Sequence, residues 1–401
     1  MISVAILGYG TVGSGVADVI STNADKISQS AAQDIKIKYI LDLRDFPDSP
    51  YKDCFTKDFS VIENDPEVKI VVETIGGTGV AYEYTKRALL AGKSVVTSNK
   101  ELVASHGCEL LKIAREKNLN YLFEASVGGG IPIIRPLSQC LAANRIDEIY
   151  GILNGTTNYI LTRMINDGAS FDEALAQAQA NGYAERDPSA DVDGPDACRK
   201  ICILASLAFG CHFYPDGVPA EGIRNVTLED VSFASSIGCK VKLIGRAVRR
   251  EKDGRFTCYV APHLVPSENL LSSVEGVFNG IVVKGNAIGD VLFYGRGAGK
   301  LPTASAVAAD VIDAAKHIDA RKYFGWGEAK PEMFFDPLSL VSRWYVRGGF
   351  SEAEAKALFG EVKIIEASEG SCVFTTPAMS GTEAKRLLSG KNIAALYRIL
   401  E

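Results

Sequence analysis

A chain of 401 residues exceeds one ordinary core and, at roughly 150 residues per domain, divides into two or three. Hydrophobic residues at 47% against charged residues at 23% make it globular, and 43 basic against 49 acidic side chains leave a net charge of −6 with no dense Lys/Arg run, which speaks against a nucleic-acid partner. No apolar run approaches the ~20 residues of a membrane span, and nine scattered cysteines without a CxxC pair point to reduced thiols and a cytosolic setting.

The chain opens on an apolar strand at 2–7, a glycine-rich turn at 8–13, and apolar residues at helical spacing through Ile20. Alternating runs at 35–41 and 69–74 predict further strands, the second after the Asp65-Pro66 turn. A helix near 80–91, a strand at 94–97, a helix over about 101–117 and a strand at 121–124 continue the alternation. Strand-helix alternation of this kind requires a largely parallel sheet covered on both faces, so the class is α/β. From Pro132 the pattern turns to long helical stretches broken by a strand at about 145–153 and by the Gly/Asp/Pro-rich segment 182–195, which marks a second, α+β domain. Residues 221–294 are rich in β-like runs, with Lys252-Asp253-Gly254 as a hairpin turn. An Ala-rich helix follows at 302–318, and the tail from about 331 reads as β-α-β-β-α with room for a last strand.

Gly8-Tyr9-Gly10-Thr11-Val12-Gly13 matches G-x-G-x-x-G between a strand and a helix, the context in which that pattern binds a dinucleotide pyrophosphate. Asp42 ends the second strand, where an acid accepts the ribose hydroxyls of NAD, but Arg44 follows two residues on and suits the 2′-phosphate of NADP, so the choice stays open. Three other segments are dense in residues that a core does not need. Asn99 and Lys100 close the strand 94–97 at the end where open sheets bind ligands, though Lys100 also reads as an exposed helix-start lysine. Glu124 with the triple glycine 128–130 offers oxygen ligands for a hard cation, or a hinge ahead of a helix begun by Pro132. Asp196 and Lys200 stand four apart on one helix face, either as a surface ion pair or as an acid that orients a proton-donating lysine.

Taken together, GYGTVG at 8–13, VVETIGG at 71–77, ALLAGKSVVTSNKEL at 88–102, EASVGGGIPII at 124–134, GILNGTTNYILT at 151–162, GYAERDPSADVDGPDACRK at 182–200 and GAGKLPTASAV at 297–307 resemble the homoserine dehydrogenases over nearly the whole first 320 residues. The resemblance implies an enzyme that interconverts L-homoserine and L-aspartate 4-semialdehyde with NADP or NAD. It implies a Rossmann-type nucleotide-binding domain at 1–131, a catalytic and dimerisation domain at 132–301, a returning helix and linker at 302–330, and a small ACT-like module at 331–401. By the same resemblance Lys200 is the proton donor, with Lys100 beside it at the nicotinamide and substrate and Asp196 as a further catalytic and substrate position. Glu185 pairs with the substrate ammonium, and Gly182 also lines the substrate.

The cofactor positions would be Gly8, Gly10, Thr11, Val12, Gly13, Arg44, Thr74, Lys100 and Gly299. Glu124 with the backbone of Val127, Gly129 and Ile131 would hold a monovalent cation, sodium or potassium. A homodimer or homotetramer in the cytoplasm, with no nucleic-acid or membrane partner, is expected. No kinase segment is expected ahead of a fingerprint that starts at residue 8. Departures from the family pattern are Ser98 before Asn99, Arg296 before the Gly-Ala-Gly run, and Gly348-Gly349-Phe350-Ser351 where an Asp-x-x-Gly effector loop belongs. The tail therefore reads either as an amino-acid sensor or as an oligomerisation surface.

Overall fold

Strand β1 (Ile2–Leu7) is buried along its whole length, as a strand with neighbours on both sides and helices on both faces must be. It pairs in parallel with β2 (Ile35–Leu41) and β4 (Val68–Glu73). The short β3 (Phe55–Thr56) joins β2, while β5 (Ser94–Thr97) and β6 (Tyr121–Leu122) extend the other flank. The computed structural model describes residues 1–320 and 323–401, so Arg321 and Lys322 of the expected linker lie outside the described residues. Among the described residues the sheet order is β3-β2-β1-β4-β5-β6, the Rossmann arrangement, whose crevice opens at the carboxyl ends of β1 and β4. The helix Thr11–Thr22 and the Ala-rich helix Lys300–Lys316 pack on it through Val16, Ala17, Ile20, Ala304, Val307 and Val311.

The chain forms two compact units. The first comprises residues 1–144, 202–215 and 295–329, and the second 145–201, 216–294 and 330–401. In the second, β7 (Ile146–Ile152), β8 (Cys239–Arg249), β9 (Phe256–Pro266), β10 (Phe278–Gly285) and β11 (Gly289–Arg296) lie in the order β11-β10-β7-β8-β9. The eleven-residue strands β8 and β9 are antiparallel along their full length around the anticipated turn. One face of this sheet buries Tyr150, Ile152, Ile244, Val265, Leu271, Val274 and Val282. On the other face Gly245 leaves room for Leu153 and for Ile201 of the helix Pro195–Phe209.

Two local expectations are corrected. The helix Leu228–Ser236 interrupts the segment read as β-rich, started by a Thr227/Asp230 capping box. Beyond Pro132 the helical residues include a π turn at Pro136–Cys140 rather than a long helix.

The tail adds β12 (Val341–Ser342), β13 (Trp344–Gly348), β14 (Lys363–Ser368), β15 (Ser371–Thr375), β16 (Met379–Ser380) and β17 (Ile393–Ile399), with helices Glu352–Phe359 and Gly381–Leu387. Its four main strands run β17-β13-β15-β14, which is the β-α-β-β-α-β order with the last strand present. The tail does not stop at its own core of Trp344, Val346, Phe359 and Phe374, because β17 continues the second unit's sheet by pairing in parallel with β9 at Arg398 and Ile399. Where an effector loop was expected, Phe350 is buried in that core and Ser351 caps the helix that follows, so these residues serve packing and capping.

Candidate active site

The first unit builds a cofactor cradle from backbone. Gly8 sits at φ +91°, in the left-handed region that favours glycine, and donates its N–H to the Leu41 carbonyl at 2.8 Å. A Cβ on Gly13 would lie 1.9 Å from the Gly8 carbonyl oxygen, so only glycine lets the helix start close against the strand end. At Gly10, by contrast, nothing lies within 4 Å of where a Cβ would stand, which leaves approach to that backbone open. Gly10 is also the N-cap, without a side-chain cap, and the helix dipole adds positive potential where a pyrophosphate would sit on the N–H groups of Thr11, Val12 and Gly13. These residues fit a dinucleotide. Thr74 plays a buttressing part, its hydroxyl hydrogen-bonding the Leu7 and Gly8 carbonyls at 3.0 and 2.9 Å. Gly299 caps the start of the helix Lys300–Lys316.

Asp42 and Arg44 are joined rather than alternative. The Asp42 carboxylate accepts from Tyr9 N–H at 2.8 Å and from Arg44 N, Nε and Nη2 at 2.8–3.0 Å, and these bonds hold its carboxyl far below the usual range. The Arg44 side chain remains 63% exposed, beside a cleft of about 360 Å³ also lined by Lys52 and Lys57.

Glu73 was not singled out from the sequence, yet it organises the loops after β4 and β5. Its buried carboxylate accepts from Ile75 N–H at 2.7 Å, Gly76 N–H at 3.1 Å and the Thr97 hydroxyl at 2.5 Å. Thr97 in turn accepts from Asn99 N–H, and the Asn99 carboxamide reaches the Gly77 carbonyl at 2.7 Å and caps the helix that begins with Lys100. Burial pushes the Glu73 carboxyl up while its hydrogen bonds pull it down. Lys100 is half-buried, not the fully exposed lysine of the simpler reading.

The cation reading is narrowed. Both Glu124 carboxylate oxygens are taken by the N–H groups of Ile133, Ile134 and Arg135 at 2.6–2.8 Å, so the side chain caps the turn after Pro132. Among the described residues no cluster of three or more His, Cys, Asp or Glu side chains suits a metal.

The second unit contributes side chains. Lys200 Nζ donates to Asp196 Oδ2 at 2.7 Å and to the Leu153 carbonyl at 2.8 Å, and the two side chains are only 11% and 6% exposed. The pair is therefore buried, and the surface-helix reading is overturned by packing that spacing alone could not show. The neighbours Asn154 and Asp191 received no role from the sequence. The carboxamide of Asn154 donates to Asp191 Oδ1 at 2.7 Å and to Asp196 Oδ2 at 2.8 Å. The available signal was Asn154-Gly155-Thr156-Thr157, an N-cap sequence ahead of the helix Gly155–Asp167. Gly182, at φ +72°, and Glu185 lie exposed on a loop that the Thr156 hydroxyl ties down by donating to the Tyr183 carbonyl at 2.6 Å. Lys100 and the fingerprint belong to the first unit; Gly182, Glu185, Asp196 and Lys200 belong to the second.

Comparison with known proteins places these features in context. The family model described as homoserine dehydrogenase matches residues 132–312, and that described as its NAD binding domain matches residues 8–124. The homoserine dehydrogenase of Pseudomonas aeruginosa is 44% identical over 313 residues, 78% of this chain and 72% of that one. The Bacillus subtilis homoserine dehydrogenase is 42% identical over 79% and 73%. The crystal structure of a homoserine dehydrogenase from Thiobacillus denitrificans superposes with a TM-score of 0.88 at 34% identity, covering 100% of this chain and 98% of that one. A hyperthermophilic archaeal homoserine dehydrogenase in complex with NADPH superposes at 0.67 and 30% identity, over 78% and 97%.

Proposed function

The chain belongs to the homoserine dehydrogenase family of NAD(P)-dependent oxidoreductases, and from that premise we propose that its buried Lys200–Asp196 pair performs the proton half of the interconversion of L-homoserine and L-aspartate 4-semialdehyde. The observation that carries this assignment is the hydrogen bonding of Lys200. An ammonium has three donors, and Asp196 and the Leu153 carbonyl take two, which supports assigning the third to the substrate oxygen. NAD(P), when bound, supplies hydride exchange with the substrate carbon. As the aldehyde is reduced, charge develops on its oxygen, and Lys200 stabilises that charge and delivers a proton to it. In the opposite direction neutral Lys200 accepts the hydroxyl proton.

Lys100 is proposed to assist at the same oxygen, Glu185 to pair with the substrate ammonium, and Gly182 to line the amino-acid end. Gly8, Gly10, Thr11, Val12, Gly13, Thr74 and Gly299 are proposed to cradle the cofactor, and Arg44 beside Lys52 and Lys57 to favour the 2′-phosphate of NADP. A monovalent cation, where held, would rest on main-chain oxygens and carry no step of the reaction. We also propose a cytoplasmic homo-oligomer, supported by the edge strand β11 with Tyr294 exposed on it. Among the described residues no helix is long and apolar enough to cross a membrane.

The test is Lys200→Met, assayed as nicotinamide reduction with L-homoserine. A loss of kcat of about 10²–10⁴ with cofactor affinity retained is expected, whereas unchanged turnover would remove Lys200 from the mechanism.

A further inference from the structure

In the second unit Asp196 accepts from Lys200, Asp191 stands close by, and Asn154 lies between the two carboxylates. Each polar atom of the Asn154 side chain is used. Its Oδ1 accepts from Thr157 N–H at 2.8 Å and from the Thr157 hydroxyl at 2.9 Å, while Nδ2 donates to Asp191 Oδ1 at 2.7 Å and Asp196 Oδ2 at 2.8 Å. The amide orientation is dictated by its partners, because a flipped amide would set N–H against N–H and oxygen against two carboxylates. Asn154, Asp196 and Lys200 are all buried. Asp196 Oδ2 thus receives Asn154 on one side and Lys200 on the other.

We propose that Asn154 is a positioning residue of the proton-transfer site: its carboxamide clamps Asp191 to Asp196 so that Asp196 keeps Lys200 aimed. This rests on the assignment of Lys200 as proton donor. Side by side, the half-buried Asp191 and the buried Asp196 resist joint ionisation, and donated hydrogen bonds offset that resistance. Burial first and then the charge of Asp196 push the Asp191 carboxyl above its ordinary range, and hydrogen bonds from Asn154 and Thr156 with the charge of Lys200 only partly offset that rise. Withdrawing the Asn154 N–H removes one downward pull, so the pair takes up a proton at higher pH. A proton shared by the pair weakens the hold of Asp196 on Lys200.

The cap and the clamp can be separated by choice of variant. Asn154→Ser still offers an oxygen to Thr157 N–H, and serine is nearly as good an N-cap as asparagine, but one hydroxyl cannot donate to two carboxylates. Asn154→Asp also caps while adding a third carboxylate. The experiment is the pH profile of kcat with L-homoserine for both variants, beside thermal melting and cofactor KM. Asn154→Ser is expected to melt within a few degrees of the parent, lose kcat about tenfold, and move its acid limb up by about one pH unit, with Asn154→Asp moving it further and cofactor KM unchanged. An acid limb that stays in place in both variants, whatever happens to kcat, overturns the clamp and leaves a helix cap. Lys200→Met run in parallel keeps the two claims apart: if it turns over normally the assignment of Lys200 fails, and if it is dead while the limb is unmoved only the clamp fails.

Discussion

The two units handle a polar ligand in opposite ways. The first uses backbone: glycines at 8, 10 and 13 bring N–H groups to a helix start, and the buried acid Glu73 serves loop amides and a hydroxyl. The second uses side chains, with Asp191, Asn154, Asp196 and Lys200 packed into a hydrogen-bonded chain. A backbone cradle recognises a shape common to many ligands, whereas a buried ion pair presents one proton at one place. Under the proposed assignment, binding that must fit a constant cofactor and chemistry that must fit one carbonyl sit on different physical foundations, and they should break differently.

The largest effect is expected in the second unit. Asp196→Ala leaves Lys200 buried without its counter-ion, and removing one partner of a buried pair costs about 3 kcal/mol or more. Denaturant unfolding should register that loss together with the loss of turnover; a variant as stable as the parent would show that Lys200 finds water instead, and that the pair is less enclosed than its exposure indicates. In the first unit Gly13→Ala presses a methyl group against the Gly8 carbonyl and acts as overpacking, at about 1–3 kcal/mol. Cofactor affinity measured by fluorescence titration should fall about ten- to a hundredfold, while kcat at saturating cofactor holds. A fall in kcat with affinity preserved would place the fingerprint in the chemical step and erase the contrast.

How much of this could be read from the amino acids follows the same divide. The fingerprint was legible because its constraints are local: Gly13 packs against the Gly8 carbonyl five positions back, with the unobstructed Gly10 between them. Asp196 and Lys200 were legible as neighbours on one helix face, but their burial was not, because it depends on Leu153, 47 residues before Lys200, and on Asn154, 42 residues before Asp196. In the sequence, Asn154 is an ordinary N-cap; only the return of residues 191–196 against it makes it a clamp. Glu124 shows a related limit, since its partners at 133–135 stand nine to eleven positions on and give it a capping role that neither the ligand nor the hinge reading anticipated. In the tail the element order was visible from alternation, but the pairing of β17 with β9 joins residues more than 130 apart and leaves no local mark.

Glu73 offers an intermediate test, a buried side chain employed to hold backbone. Glu73→Gln keeps the shape but replaces one acceptor oxygen with a donor that faces existing donors. The loops carrying Thr74 and Lys100 should loosen, raising cofactor KM about tenfold, the worth of one hydrogen bond to a charged group. A rise in the homoserine KM alone would contradict the assignment of those loops to the cofactor.

The smallest effect, and the most selective, belongs to Arg44. Its guanidinium is bound to Asp42 in a two-pronged pair, and since Asp42 also receives the Tyr9 N–H, the acid has no strong acceptor left for ribose hydroxyls. Arg44 thereby masks the group that would favour NAD and presents an exposed cation that would favour NADP, near Lys52 and Lys57. Arg44→Ala removes both influences at once. The NADP KM should rise several-fold, by less than the full value of a charged hydrogen bond because the remaining lysines share the load and solvent screens the site, while the NAD KM should stay level or fall as Asp42 is released. The measurement is the ratio of kcat/KM for the two cofactors in parent and variant at one ionic strength. A ratio that does not move would mean that the Asp42–Arg44 pair is a structural tie across the end of β2 with no voice in cofactor choice, and that the first unit discriminates by backbone shape alone.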